Sequence, residues 1–177
     1  MLGLTPLFHK SMFFVCVYVK IILMTDGDEF WMRKAMEAAE AARDLGEIPI
    51  GACLINQNGE LVALAGNRTI SACDPTAHAE ILVLREAAAK IGNYRLTETS
   101  VYTTIEPCAM CAGALVNARV KRLVFGAYDE RFGAVMSVFR LCDTSSLNHK
   151  IEITAGVLAE DCRKMMQDFF RRKRQII

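Results

Sequence analysis

From Leu61 to Ala127 the chain alternates strand-like apolar runs with helix-forming stretches, and no other feature of the sequence restricts the fold as much. Leu61 to Ala65, Ser100 to Ile105 (SVYTTI) and Arg122 to Ala127 (RLVFGA) have the aliphatic, β-branched and aromatic content of strands. Between them, Ala77 to Ile91 carries strong helix formers up to Gly92, and Pro107 opens a further helix running to about Asn117. Strands separated by helices lie parallel, with the helices as right-handed crossovers. The expected architecture is α/β, with three α/β/α layers around a mixed five-stranded sheet whose central strands are parallel.

The flanks complete that plan. Asp28 to Leu45 repeats apolar residues at helical spacing (Trp31, Ala35, Ala38, Ala42, Leu45) and stops at Gly46. Ile50 to Ile55 and Leu61 to Ala65 flank Asn56-Gln57-Asn58-Gly59, whose Asn-Gly pair suits a tight hairpin. Asp74 or Thr76 is the expected cap of the helix that follows. Ile151 to Thr154 adds a last strand, and Leu158 to Arg172 a closing helix with Leu158, Cys162, Met165 and Phe169 toward the sheet.

At 177 residues the chain has the length of one domain. Residues 24–177 are assigned to it, and residues 1–23 to a leader, since Met24 offers an alternative start. Met12 to Met24 is apolar but contains Lys20 and is shorter than the roughly 20 residues that span a bilayer, so no membrane association is expected. Seven cysteines without a regular framework point to reduced thiols and a cytoplasmic protein. Of these, Cys16, Cys53, Cys73, Cys142 and Cys162 read as packing residues. With 21 Lys and Arg against 20 Asp and Glu, net charge says little, but Phe169 to Arg174 (FFRRKR) concentrates cations beside two aromatic rings. Any nucleic-acid contact is therefore expected near the C-terminus.

Two short motifs carry chemistry. Cys108 and Cys111 (PCAMC) stand three apart at a helix start, where free amides and the helix dipole favour thiolate, the form that binds metal. His78-Ala79-Glu80 stands at the start of the preceding helix. Residues two apart do not converge within a helix, so His78 and Glu80 can meet only over its N-terminal end. Two helix N-termini at the carboxyl ends of neighbouring strands would bring all four residues together. Two thiolates and an imidazole suit zinc and leave a fourth position for water, and Glu80 beside it can move protons. The implied reaction is hydrolytic loss of ammonia from an aminated heterocycle.

The HAE and PCxMC pair, 30 residues apart across a strand, resembles the cytidine deaminase-like zinc deaminases. EIPIGA (47–52), GNR (66–68), DPTAHAEI (74–81), NYRL (93–96), EPCAMCAGAL (106–115), VFGAYD (124–129), LNHKIEI (147–153) and DFFRRKR (168–174) narrow the resemblance to bacterial tRNA-specific adenosine deaminases. That resemblance implies one zinc ion per subunit on His78, Cys108 and Cys111, with Glu80 as general acid and base. It implies that Asn67 and the Ala79 backbone contact the flipped nucleoside, and that Asp129 lies near the flanking nucleotides. It also implies a homodimer acting on a tRNA anticodon stem-loop at the wobble adenosine. Phe169, Phe170, Arg171 and Lys173 are the candidate RNA contacts. Gly133 to Ser137 departs from the family pattern by placing Met136 where a small residue is usual, and Val138 to Ser146 fits it loosely.

Two alternatives stand beside this reading. A deaminase of free guanine, cytosine or cytidine would share the chemistry, and a noncatalytic zinc- or RNA-binding module would close the fourth position with another ligand, Cys73 being a nearby candidate.

Overall fold

The computed structural model describes residues 27–175, and the leader expected over 1–23 lies outside the described residues. The first helix, α1, covers 27–44. It is followed by β1 (Gly51–Ile55), β2 (Leu61–Gly66), α2 (Ala79–Ile91), β3 (Ser100–Ile105), α3 (Ala109–Asn117), β4 (Arg122–Ala127), β5 (Glu152–Ala155) and α4 (Ala159–Gln175). The sheet order is β2-β1-β3-β4-β5, with β1 antiparallel to both neighbours and β3, β4 and β5 mutually parallel. The mixed five-stranded sheet is as expected. Its parallel part runs from the central strand to the β5 edge, because each of β3 and β4 is followed by a segment long enough to cross back over the sheet.

Side-chain alternation builds the layers. Ala52, Leu54, Val101, Leu123 and Phe125 point into a core closed by Val83 and Leu84 of α2 and Leu115 and Val116 of α3. Their neighbours Cys53, Ile55, Tyr102 and Val124 point the other way, against Met32 and Ala35 of α1 and Cys162 of α4. Because both faces are covered, β1 and the interior of β3 and β4 are buried continuously, which is why their sequences read as unbroken apolar runs.

Helix α1 lies unusually close to the sheet. Gly51 and Gly66 pair across β1 and β2, and a Cβ on either would stand 2.0 Å from the Ala35 carbonyl oxygen or 2.4 Å from that of Ala38. The bare backbone at these two positions lets the alanine face of α1 settle on the strands. A buried ion pair then fixes the start of the helix. Arg122 of β4 donates to both oxygens of Asp28 at 2.8 and 2.7 Å, and the Tyr102 hydroxyl donates to Asp28 at 2.9 Å.

Three local expectations need correction. Leu45 is 64 % exposed, because α1 ends at residue 44 and the following turn carries Leu45 away from the core. Neither Asp74 nor Thr76 caps α2: the N-cap is His78, and Asp74 instead accepts from the Thr76 amide and hydroxyl at 2.8 and 2.6 Å. Cys73 is exposed rather than packed. Among the described residues, no helix is long and apolar enough to cross a membrane.

Candidate metal and catalytic site

Helices α2 and α3 pack on the same face of the sheet and start at the same end, each after a strand. Their N-cap residues are His78 and Cys108, both in extended conformation, and neither side chain makes a capping hydrogen bond. This resolves the spacing difficulty of His78-Ala79-Glu80. His78 stands outside the helical geometry while Glu80 occupies the first turn, so both can lean over the same helix end. Cys111, in the first turn of α3, sits beneath Cys108 by the usual proximity of residues three apart.

The His78 Nδ1 lies 3.7 Å from the Cys108 Sγ and 3.5 Å from the Cys111 Sγ. Tetrahedral zinc, with bonds of about 2.3 Å to sulfur and 2.0 Å to nitrogen, sets such atoms about 3.5 Å apart. The donor set therefore fits that ion. All three donor atoms lie within 4.8 Å of one another, and among the described residues they are the group of this kind, without Cys73. Cys73 instead donates to the Ile70 carbonyl at 3.7 Å, which removes the proposed fourth ligand of a closed structural site.

The electrostatics point the same way. Hydrogen bonding from Cys111 pulls the Cys108 thiol down to about 4, with help from His78 and the Cys111 amide against burial. Cys111 moves upward, first through its bond to Cys108 and then through burial and Glu80, so the two sulfurs share one proton. A cation between them is what lets both ionise. His78 is raised by its bond to Cys108. Cys53, Cys142 and Cys162, in contrast, are pushed up to about 12 by burial and are packing residues as expected.

Glu80 is 2 % exposed, and its Oε2 is buried without a hydrogen-bond partner. Burial pushes its carboxyl up. A lone acceptor beside three metal donors is costly to fold and is normally kept for chemistry. It faces a cleft of about 1030 Å³ lined by His78, Cys108, Asp129, Arg131, Phe132 and, from α4, Arg163, Met166 and Phe170.

Other sequence-derived candidates are distributed more widely. Asn67 is 2 % exposed and accepts from the Ala79 amide at 3.0 Å, so that amide is already engaged, and Asn67 lines a neighbouring hollow against α1. Asp129 lines the cleft while its Oδ1 accepts from the Arg131 and Phe132 amides at 2.9 and 3.1 Å. Phe170 reaches the cleft, Phe169 turns to the groove between α4 and α1, and Arg171 pairs with Asp168 at 3.4 Å. The Lys173 ammonium stands 5.6 Å over the Phe169 ring.

Two buried glutamates carry roles that the sequence reading left unassigned. Glu47 accepts from the Ile70 and Ser71 amides at 3.0 and 2.7 Å and from the Thr69 hydroxyl at 3.2 Å, holding the loop that follows Asn67. Glu106 does the same for the loop after β4. The signal available was an acid next to apolar residues and proline in EIPIGA and TTIEPC. Burial raises the Glu47 carboxyl, but the Ser71 and Ile70 amides and the Ser71 and Thr69 hydroxyls outweigh it, leaving the group below its usual 4.5. A depressed carboxyl stabilises the fold above the unfolded value and loses that contribution as pH falls through the folded value. Glu47→Gln should therefore cost about 2 kcal/mol at pH 7. The deficit should shrink below about pH 4.5. Urea unfolding from pH 3.5 to 7 measures both, and a deficit independent of pH would contradict the assignment.

The family model of MafB19-like deaminases matches residues 26–174. A tRNA-specific adenosine deaminase of Haemophilus influenzae is 48% identical over 148 residues, covering 84% of this chain and 86% of that protein. One of Bacillus subtilis is 43% identical over 148 residues, covering 84% and 91%. A solved structure from work on A-to-I editing by tRNA:A34 deaminases at the wobble position of transfer RNA superposes with a TM-score of 0.74 at 38% identity, over 77% of this chain and 98% of that one. A guanine deaminase from Nitrosomonas europaea superposes with a TM-score of 0.70 at 25% identity, over 80% and 83%.

Proposed function

The chain belongs to the MafB19-like deaminase family, and from that premise we propose that it converts adenosine to inosine at the wobble position of a tRNA anticodon, with zinc held by His78, Cys108 and Cys111. The observation that carries the chemistry is the unpartnered Glu80 Oε2 beside three clustered metal donors at the floor of an open cleft. The substrate rests on the relatives named for tRNA adenosine deamination, which match at 48% and 43% identity, against 25% for the guanine deaminase.

Zinc bound at this site supplies the Lewis acidity that makes water a nucleophile near neutral pH. Glu80 takes a proton from the attacking water and delivers it to the ring nitrogen next to the reacting carbon; it then takes the remaining proton from the hydroxyl added to that carbon and passes it to the departing amine, leaving a carbonyl. Water adds, the carbon–nitrogen bond breaks, and ammonia leaves. Since a stacked base cannot reach a site at the bottom of a cleft, the adenosine turns out of the anticodon loop to enter it. Asn67, held by the Ala79 amide, orients the flipped nucleoside.

Above the floor, Arg131, Arg163 and Phe170 offer charge and an aromatic face to a polyanionic, single-stranded loop. Asp129 lines the same cleft and Arg171 the adjoining groove, while Phe169 and Lys173, on the α1 side of α4, are the remaining candidate RNA contacts. The protein acts as a cytoplasmic homodimer with one zinc ion per subunit.

The test is to incubate the zinc-loaded protein with an anticodon stem-loop containing adenosine at the wobble position and sequence for inosine. Free adenosine, guanine, cytosine and cytidine serve as parallel substrates. Conversion of the stem-loop alone is expected, with stoichiometric ammonia. Preference for a free base or nucleoside would overturn the substrate assignment.

A further inference from the structure

Glu106 joins β3 to the ligand helix α3, and it is 1 % exposed. Its partners are neutral donors from one loop. The Oε1 accepts from the amides of Val135, Met136 and Ser137 at 3.1, 2.6 and 2.9 Å. The Oε2 accepts from the Asp129 amide at 3.2 Å and from the Ser137 hydroxyl. The loop thus wraps a single carboxylate.

The rest of the loop conforms to that arrangement. The Ala134 amide donates to the Pro107 carbonyl at 2.8 Å, and Gly133 bridges to Cys108. A Cβ at Gly133 would stand 2.5 Å from the Glu106 carboxyl carbon and 2.5 Å from the Asp129 carbonyl oxygen, so the glycine is what lets the chain close on the acid. The outer side of this loop presents Asp129, Arg131 and Phe132 to the cleft, and Phe132 is 67 % exposed. Ala134 and Val135 anchor the middle of the loop in the main core, and the exposed remainder is ordered mainly by its inward hydrogen bonds.

We propose that Glu106 is a positioning residue for substrate: it pins the 129–137 loop to the ligand helix and thereby sets the cleft wall that receives nucleotides flanking the target adenosine. This rests on the tRNA reading of the cleft. Both oxygens are occupied by the loop, so the acid acts on binding and leaves proton transfer to Glu80. Loosening the loop makes substrate binding bear the cost of ordering it, which raises KM and leaves kcat nearly unchanged.

Glu106→Gln tests this, because the amide nitrogen replaces one acceptor and faces donors where a carboxylate oxygen stood. Three readouts are taken on the zinc-loaded protein: zinc per chain, amide hydrogen exchange across 129–137, and steady-state kinetics on the anticodon stem-loop. Expected are unchanged zinc, exchange at least about tenfold faster in the loop, KM raised about tenfold, and kcat within about threefold. Gly133→Ala, which wedges a methyl group between the same loop and the Glu106 carboxylate, should move exchange and KM in the same direction, and it stands in if Glu106→Gln does not fold. Unchanged exchange, faster exchange with unchanged KM, or loss of zinc with a fall in kcat would each overturn the proposal. If the wild-type protein leaves the stem-loop unconverted, the functional reading fails first; a flat exchange profile in an active enzyme removes the positioning role alone.

Discussion

Glu80→Ala should keep one zinc ion per chain and lose deamination by at least about a thousandfold, near the upper end of what general acid–base catalysis contributes. The group of side chains able to hold a metal is the His78 imidazole and the two thiols, and Glu80 is not one of them. Its carboxylate is buried with one oxygen unpartnered, and burial holds its proton affinity above the ordinary carboxylate range. A group in that state can take a proton from water and release it to a weakly basic amine. Removing it deletes both transfers while leaving the metal's ligands in place. Thermal stability should be equal or slightly higher in the variant, since an unsatisfied buried acid is a cost that folding bears for function. Glu80→Gln should be as inactive as Glu80→Ala, because it restores volume and polarity but cannot carry the proton. Zinc analysis, melting temperature and single-turnover assays report the three effects separately. Loss of metal on this substitution, or activity within about tenfold of the parent, would remove the assigned role.

How much of this arrangement was legible in the residues depends on whether a feature is local or made by tertiary contact. Strands β3 and β4 were readable to the residue because both their faces are buried, leaving continuous apolar runs bounded by turn residues. The clustering of His78, Glu80, Cys108 and Cys111 was readable because they sit at two helix starts, and helix starts at one end of a sheet converge. The exact geometry was not. His78 and Cys108 lie one residue outside their helices, and that offset, which frees both side chains from helical spacing, is set by how the strands deliver the chain.

The contacts that escaped the sequence reading are long-range and polar. Asp28 meets Arg122 and Tyr102 across the sheet, more than 70 positions away in the chain, and no periodicity encodes such a pair. Glu47 and Glu106 look like surface acids by composition, yet each is buried because a loop from elsewhere folds its amides around the carboxylate. Met136 illustrates the converse. It departs from the family's small residue, but the loop is held through backbone amides, including that of Met136 itself, so its side chain can change while the anchoring persists. The departure therefore alters what the cleft edge exposes more than how the loop is anchored.

Removing the metal donors should have the other large effect, and it separates a catalytic site from a structural one. Cys108→Ala, Cys111→Ala and His78→Ala should each reduce zinc to below about a tenth of an ion per chain, since a site of three protein ligands has none in reserve. Activity should fall below detection, and chelation of the parent protein should do the same reversibly. The fold should survive. Helices α2 and α3 are fixed to the sheet by Val83, Leu84, Ala87, Leu115 and Val116, all buried, so their N-termini are held near one another without the ion. In the metal-free state the two sulfurs can share a proton, with Cys108 as thiolate and Cys111 as thiol, which limits repulsion between them. Far-ultraviolet circular dichroism should therefore be retained after chelation, with a melting temperature lower by several degrees, as expected when a ligand that binds only the folded state is withdrawn. Cobalt added to the stripped protein should give the intense absorption of tetrahedral thiolate coordination, and Cys73→Ala should leave that spectrum unaltered, because Cys73 bonds to its own turn at Ile70. Collapse of secondary structure on chelation would mark the ion as a structural staple, and a spectrum that changes with Cys73 would mean that the fourth position is closed by protein and closed to water.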